Sequence, residues 1–164
     1  DLPDRVRLLV LTGGEPLLHQ AAADALLADL RDTRPDVRVE VETNGTIAPT
    51  RAWRDLVHLF VVSPKLANSN IPEKRRLRPS VLTEFSTLPS VLKFVVESPL
   101  DVEEAAAIAM GSGFDRSRVW VMPQTTEAAE LGLLIARLAP AAIQSGFKVS
   151  SRLHVLAWGD ARGT

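Results

Sequence analysis

Val10-Leu11-Thr12-Gly13-Gly14-Glu15-Pro16 is the stretch whose reading decides the fold. It closes an apolar segment, Val6 to Leu11, that reads as a β-strand. Two glycines halt the strand, and without a Cβ they let a ligand touch the backbone. Pro16 suits the first turn of a helix, where its missing N–H costs nothing. Strand, glycine turn and helix start are thus written in succession. In parallel α/β folds ligands sit at the carboxyl ends of strands. This turn is therefore a candidate ligand contact, although a single glycine turn also reads as an ordinary βα loop.

The pattern recurs along the chain. Further apolar segments run from Val37 to Val41, Leu59 to Val62, Val91 to Val96 and Val119 to Met122, and a final strand is expected from Lys148 to Ala157. The segments at Val6, Leu59 and Val91 are nearly continuous in Val, Leu and Phe, as in strands buried on both faces of a parallel sheet. Val37 to Val41 alternates, with Arg38 and Glu40 on one side, which places it nearer an edge. Helical patterns lie between. Leu17 to Arg31 carries a stripe of Leu18, Ala22, Leu26 and Leu30, flanked by Ala23 and Leu27, with Asp24, Ala28 and Asp32 opposite. This stripe is read as core. Arg51 to Val57 is a short helix. Asp101 caps a helix through Met110, with Glu104 in the capping-box position and Gly111 as the stop. Glu127 to Ser145 is a long helix that Pro140 should kink or break.

Alternating strands and helices imply a parallel sheet with right-handed crossovers. Residues 1–164 read as a single domain without internal repeats, and residues 67–90, with Pro72, Pro79 and Pro89, as an irregular insertion with a lid-like helical turn.

Composition narrows the function. The chain has 164 residues, 46% hydrophobic and 24% charged, which is ordinary for a globular domain. A net charge of −1 creates no field that favours nucleic acid or an anionic membrane, and no apolar run reaches the length of a membrane span. Lys74, Arg75, Arg76 and Arg78 form a basic cluster with no aromatic residues between them, so it reads as a solvated face rather than a nucleic-acid site. There is no cysteine, which excludes disulfides and thiolate metal sites within the chain and is compatible with a cytoplasmic location. His19, His58 and His154 are far apart, without zinc-ligand spacing.

Each strand end carries a polar signature. Thr12-Gly13-Gly14-Glu15-Pro16 ends the first, Glu42-Thr43-Asn44-Gly45 the second, Ser63-Pro64-Lys65 the third and Pro123-Gln124-Thr125-Thr126 the fifth. Taken singly, Asn44-Gly45 is a turn dipeptide, Lys65 a solvent-facing lysine, and Glu42 the end of an alternating strand. Packing alone gives no reason to repeat such residues at strand ends, and together they fit a small-molecule site on one rim.

These motifs, in this order, resemble those of the radical S-adenosylmethionine enzymes, and within them most closely the 7-carboxy-7-deazaguanine synthase family. Gly-Gly-Glu-Pro belongs to the whole superfamily, whereas Glu42-Thr43-Asn44-Gly45 with Ser63-Pro64-Lys65 is more specific. The ending Arg152-Leu153-His154-Val155-Leu156-Ala157-Trp158-Gly159-Asp160 is similar to the tail of the longer bacterial members. The resemblance covers essentially the whole chain.

It implies an α/β fold, a partial and modified (β/α) barrel with parallel strands and flanking helices. It also implies the family's reaction. A [4Fe-4S] iron–sulfur cluster cleaves S-adenosyl-L-methionine, and the 5′-deoxyadenosyl radical takes a hydrogen from 6-carboxy-5,6,7,8-tetrahydropterin. The ring contracts, ammonia leaves and 7-carboxy-7-deazaguanine forms for queuosine and related deazapurines, with Mg2+ assisting. Such an enzyme is a carbon–nitrogen lyase, with a small-molecule pterin substrate and an electron donor such as flavodoxin as its expected partners; a homodimer is compatible with the sequence, which does not itself give the oligomeric state. The family's cluster cysteines and the adjoining Mg2+ ligand are absent here, so the first barrel strand and cluster loop are expected to be missing, the chain alone inactive, and the edge beside Val6 to Leu11 exposed.

Carried over residue by residue, the resemblance assigns Gly14, Ser63, Pro64, Lys65, Met122, Pro123, Gln124 and Thr125 to S-adenosylmethionine. Thr12, Glu42, Asn44, Arg152 and His154 fall to the pterin. The chemistry suits these roles. A glycine carbonyl accepts from an ammonium, while a hydroxyl and a compact cation suit ribose and carboxylate groups. A carboxylate accepts two adjacent N–H groups of a pterin side by side. Arg152 and His154 are expected to meet the substrate carboxylate from the last strand, or else to be a surface arginine beside a packed histidine. Two other readings stand beside this one. One is another enzyme of the superfamily, such as an activating or peptide-modifying enzyme, which shares Gly-Gly-Glu-Pro but is not expected to carry Ser-Pro-Lys or this tail. The other is a non-catalytic, cluster-free domain that binds a nucleoside or a partner protein.

Overall fold

Each apolar segment expected as a strand pairs in parallel with the next. A computed structural model describes residues 2–159 and 161. Its strands are β1 (Leu8–Leu11), β2 (Arg38–Thr43), β3 (Leu59–Val62), β4 (Ser90–Val96), β5 (Val119–Pro123) and β6 (Lys148–Val149), in the spatial order β1-β2-β3-β4-β5-β6. The helices are α1 (Gln20–Thr33), α2 (Arg51–Leu56), α3 (Glu73–Arg76), α4 (Pro79–Ser86), α5 (Pro99–Gly111), α6 (Ala128–Gln144) and α7 (Leu153–Trp158). A doubly wound sheet reverses its strand order at a switch point. This sheet never does, which is the order of a (β/α) barrel wall.

One face of the sheet holds the core. Val39, Val41, Phe60, Val62, Leu92, Phe94, Val96 and Val121 are buried, and they share one cluster with Leu27 and Leu30 of α1, Trp53 of α2, Phe85 of α4, Val102 of α5 and Leu138 of α6. The other face is open. Leu8 and Val10 on β1 are exposed, and Glu40, Glu42, Val61, Lys93 and Val95 are half-buried. The strands are thus not buried on both faces as their apolar runs suggest. The alternation of β2 likewise marks an open sheet face and not an edge, since β2 pairs with β1 on one side and β3 on the other. The edge strands are β1 and β6.

Helix α1 turns a different face inward from the one its leucines suggest. Glu15 caps a 3₁₀ turn at Pro16–His19 by accepting from the Leu17 amide, and this turn sets the phase of the helix that follows. Leu17, Gln20, Leu27 and Leu30 are buried, whereas Leu18 is 67% and Leu26 53% exposed. Asp24 faces α2, where its carboxylate accepts from the Trp53 indole at 2.8 Å. Gln20 accepts from the Thr50 amide at 2.6 Å and donates to the Ala48 carbonyl at 3.1 Å, fastening α1 to the loop after β2.

Other elements also differ from expectation. Residues 67–90 form the packed crossover from β3 to β4, with Leu82 and Phe85 buried, because Pro72 and Pro79 start helices there. Arg118 pins the end of that crossover by donating to the carbonyls of Ser86, Leu88 and Ser90. Helix α5 begins at Pro99, two residues before Asp101; Asp101 caps it from within, accepting from the Glu97 and Ser98 amides at 2.7 and 2.9 Å. Helix α6 continues through Pro140 without a break. The strand expected from Lys148 to Ala157 is only β6, and Leu153–Trp158 is helical, since Leu153, Leu156 and Ala157 have no second strand to pair with beyond Val149. Asp160, the last residue of the tail motif, lies outside the described residues.

Gly45 sits at φ +74°, and a Cβ there would lie 2.7 Å from Val62 Cγ1 and 2.8 Å from Leu82 Cδ2. Gly45→Ala is expected to destabilise the fold by about 2 kcal/mol or more through combined strain and overpacking. Gly132, helical and with open space at its Cβ position, is the counter-case: Gly132→Ala should stabilise by roughly 0.5–1 kcal/mol. Urea denaturation of the two variants checks both signs.

Candidate functional site

The carboxyl ends of β1 and β2 are tied together by Glu15. Its carboxylate is buried and accepts from the Thr43 hydroxyl at 2.8 Å and the Asn44 amide at 2.8 Å, besides the Leu17 amide at 3.1 Å. The glycine turn of β1 and the polar end of β2 are thereby held as one unit. Asn44 closes an Asx turn by accepting on Oδ1 from the Thr46 amide at 2.9 Å and the Thr46 hydroxyl at 2.6 Å. Gly13 and Gly14 have φ of +91° and +57°, and no atom lies within 4 Å of where a Cβ would stand. Their backbone therefore faces free space.

The end of β3 is moored from below. Arg76 donates to the Lys65 carbonyl at 3.0 Å and pairs with Glu104 at 2.8 Å. Glu104 in turn accepts from the Ala67 amide at 2.9 Å. Arg76 is only 8% exposed, so this member of the basic cluster is no part of a solvated face. Beside it, Asn68 donates to the Val95 carbonyl at 3.2 Å and to Asp101 at 3.3 Å.

Above these ends lie two adjoining cavities. The first, of about 270 Å³, is lined by Thr12, Gly13, Gly14, Glu42, Thr43, Asn44, Val61, Ser63, Lys65, Lys93, Val95 and Met122. The second, of about 300 Å³, is lined by Ser63, Pro64, Lys65, Leu66, Asn68, Ser69, Ile71, Val95, Glu97 and Gln124. Ser63, Lys65 and Val95 line both. On the floor of the first, Thr12 donates to Glu42 Oε2 at 3.1 Å, and Lys93 Nζ lies 3.7 Å from Glu42 Oε1. The Arg34 guanidinium holds the Asp36 pKa low, and the Ser117 hydroxyl and amide do the same for Asp115.

The structure brings together most of the residues picked from sequence. Thr12, Gly14, Glu42, Asn44, Ser63, Lys65 and Met122 share the first cavity, while Pro64 and Gln124 line the second. Pro123 and Thr125 line neither. Both are buried, and the Thr125 hydroxyl is engaged with Glu130 at 3.1 Å and the Glu127 amide at 3.0 Å. Arg152 donates to the Thr125 carbonyl at 2.7 Å, steadying the end of β5 from the start of α7 instead of from a strand. His154 is exposed on that helix. Sequence reasoning missed Glu15, Arg76 and Lys93 as individual contributors. Lys93 left a signal, as the one charge inside the apolar run Val91 to Val96.

An iron–sulfur cluster does not fit the residues of this chain, which has no cysteine. Among the described residues no group of three or more His, Asp or Glu could hold a metal ion, and no helix is long and apolar enough to cross a membrane.

No family model matches the chain. Curated relatives do. It is 38% identical over 157 residues to the 7-carboxy-7-deazaguanine synthase of Pyrobaculum aerophilum, covering 94% of this chain and 67% of the relative. It is 37% identical to the protein of that name from Hyperthermus butylicus, covering 91% and 64%, and 31% identical to that from Rhodopirellula baltica, covering 97% and 64%. The chain thus spans about two thirds of the length of the curated relatives it matches. Among solved structures, a domain of a pyruvate-formate lyase-activating enzyme from Bacteroides vulgatus superposes with a TM-score of 0.60 at 15% identity, over 87% of this chain and 97% of that one, a likeness of fold.

Removing the Glu15 carboxylate would leave the buried Thr43 hydroxyl without an acceptor, although it still accepts from the Gly45 amide at 3.1 Å, and would leave the Asn44 and Leu17 amides without their side-chain partner. Glu15→Ala is expected to cost about 2–4 kcal/mol of stability, since each orphaned buried group costs roughly 1–3 kcal/mol. Denaturant titration of the variant measures this, and a loss under about 0.5 kcal/mol, the size of an ordinary surface change, would contradict the tie.

Proposed function

Because the chain belongs to the 7-carboxy-7-deazaguanine synthase family, we propose that its two adjoining cavities hold S-adenosyl-L-methionine and a 6-carboxytetrahydropterin for the ring contraction catalysed by a radical carbon–nitrogen lyase. The observation that carries this reading is the shared first cavity. Thr12-Gly13-Gly14, Glu42-Thr43-Asn44 and Ser63 with Lys65 come from three separate strand ends and line one space.

The chemistry of these residues sorts them between the two ligands. The open backbone at Gly13 and Gly14 admits the methionine ammonium, whose N–H groups a peptide carbonyl accepts. Ser63 and Lys65 border both cavities and suit a ligand that passes from one to the other, the hydroxyl toward ribose and the ammonium toward a carboxylate. Pro64 and Gln124 extend that path. When bound, S-adenosylmethionine supplies the chemistry of hydrogen abstraction. Glu42, with Thr12 beside it, faces the first cavity as an acceptor for the adjacent N–H groups on the pyrimidine edge of a pterin. The chain's own part in the reaction is to bind and orient, since the cluster that would reduce the sulfonium has no ligand here.

The contribution of Arg152 and His154 is indirect in this reading. Arg152 supports the Gln124–Thr125 turn.

Calorimetric titration of the chain with S-adenosylmethionine and with 6-carboxypterin, separately and together, tests the proposal. Both are expected to bind, and neither to exclude the other. Mutual exclusion, or no binding of either, contradicts it. Glu42→Gln is expected to weaken the pterin by about 2–5 kcal/mol, the cost of breaking a buried charged hydrogen-bond pair, and S-adenosylmethionine much less. Equal weakening of both ligands would reject the assignment of Glu42.

A further inference from the structure

Lys93 stands where strand packing gives it no reason to be. It lies in the middle of β4, paired with β3 on one side and β5 on the other, in a run that is otherwise apolar from Val91 to Val96. Its neighbours Leu92 and Phe94 enter the core, so Lys93 points to the open face. There it lines the first cavity, and its ammonium lies 3.7 Å from Glu42 Oε1. Glu42 Oε2 receives the Thr12 hydroxyl at 3.1 Å. The Glu42 carboxylate of β2 is thus met from the end of β1 by a hydroxyl donor on one oxygen and from β4 by a positive charge beside the other.

We propose that Lys93 is a positioning residue that holds Glu42 as a fixed acceptor, and that it thereby sets the preference of the cavity for a 2-amino-4-oxo pyrimidine edge. This rests on the function proposed above. Each carboxylate oxygen has two lone-pair directions. With Thr12 donating to one oxygen and the Lys93 charge beside the other, the carboxylate keeps a lone pair on each oxygen for the cavity, matching the adjacent amino and ring N–H donors of a pterin. A 2,4-dioxo analogue presents an oxygen in place of the amino group. That oxygen meets the carboxylate as acceptor against acceptor.

The timing of the electrostatic cost gives Lys93 a signature. In the free protein the side chains of Lys93 and Glu42 are 31% and 44% exposed, so water screens the pair and it contributes little to folding. A ligand that fills the cavity displaces that water. The carboxylate must then be desolvated, and a nearby counter-charge offsets part of the cost that hydrogen bonds alone leave. Loss of Lys93 is therefore felt in ligand binding and not in stability.

The test compares Lys93→Met and Lys93→Arg with the unaltered chain. Calorimetry reads 6-carboxypterin, its 2,4-dioxo analogue 6-carboxylumazine, and S-adenosylmethionine, and a thermal melt reads the fold. Lys93→Met is expected to weaken 6-carboxypterin about tenfold or more, as loss of one charge-assisted contact implies. It should narrow the preference for pterin over lumazine, hold S-adenosylmethionine within about twofold, a change well under 1 kcal/mol, and leave the melt unchanged. Lys93→Arg should restore most of the pterin affinity, because it returns the charge. Unaltered pterin affinity in Lys93→Met overturns the proposal. So does equal weakening of both ligands, or a lowered melt that accounts for the loss, since either marks a structural role. If the unaltered chain binds S-adenosylmethionine but no pterin, the proposal falls together with the pterin assignment. If it binds pterin and only the Lys93 effects are missing, the function stands and this inference alone fails.

Discussion

The site depends on one buried carboxylate. Glu15 gathers an amide from its own turn, a hydroxyl from β2 and an amide from the loop after β2. Those contacts fix the height of the glycine turn relative to Glu42 and Asn44. The backbone of Gly13 and Gly14 can meet a ligand only if that height is right, because a glycine has no side chain with which to correct an error. Arg76 and Glu104 do the same for the end of β3 by holding the Lys65 carbonyl and the Ala67 amide. Glu15 and Arg76, which hold these strand ends in place, are more deeply buried than Gly13, Gly14, Glu42 and Lys65, which line the cavity.

The sheet order explains why these ends can cooperate. Strands laid down in sequence, with helices packed on one face, leave the other face free along its whole width. A polar residue there is not required to find a partner in the core. Glu40, Glu42 and Lys93 occupy that face between apolar neighbours, half-buried and chemically available.

Much of this was legible in the chain. The strand segments at Leu59 and Val91 are so rich in Val, Leu and Phe that no helical period fits them, and the polar strand ends were readable because packing offers no other use for Glu42 or Ser63 there. The failures have physical causes. The leucine stripe of α1 misleads because the 3₁₀ turn at Pro16–His19 rotates the helix, so that Gln20 goes inward and Leu18 outward. The segment after Val149 carries the apolar pattern of a strand but has no partner to pair with, and a helix satisfies its amides locally. Pro72 and Pro79 look like breaks and act as starts. Glu15 and Arg76 were hidden because a buried tie between distant loops leaves no periodic trace in sequence.

The division of β4 has an evolutionary consequence. Leu92, Phe94 and Val96 are fully enclosed, whereas Val91, Lys93 and Val95 look the other way. Alternate positions of a single strand therefore answer to separate selective pressures. Substitution at the half-buried outward positions therefore reshapes the cavity floor at a smaller energetic penalty than substitution at the enclosed ones, so the lining can diverge while the scaffold persists.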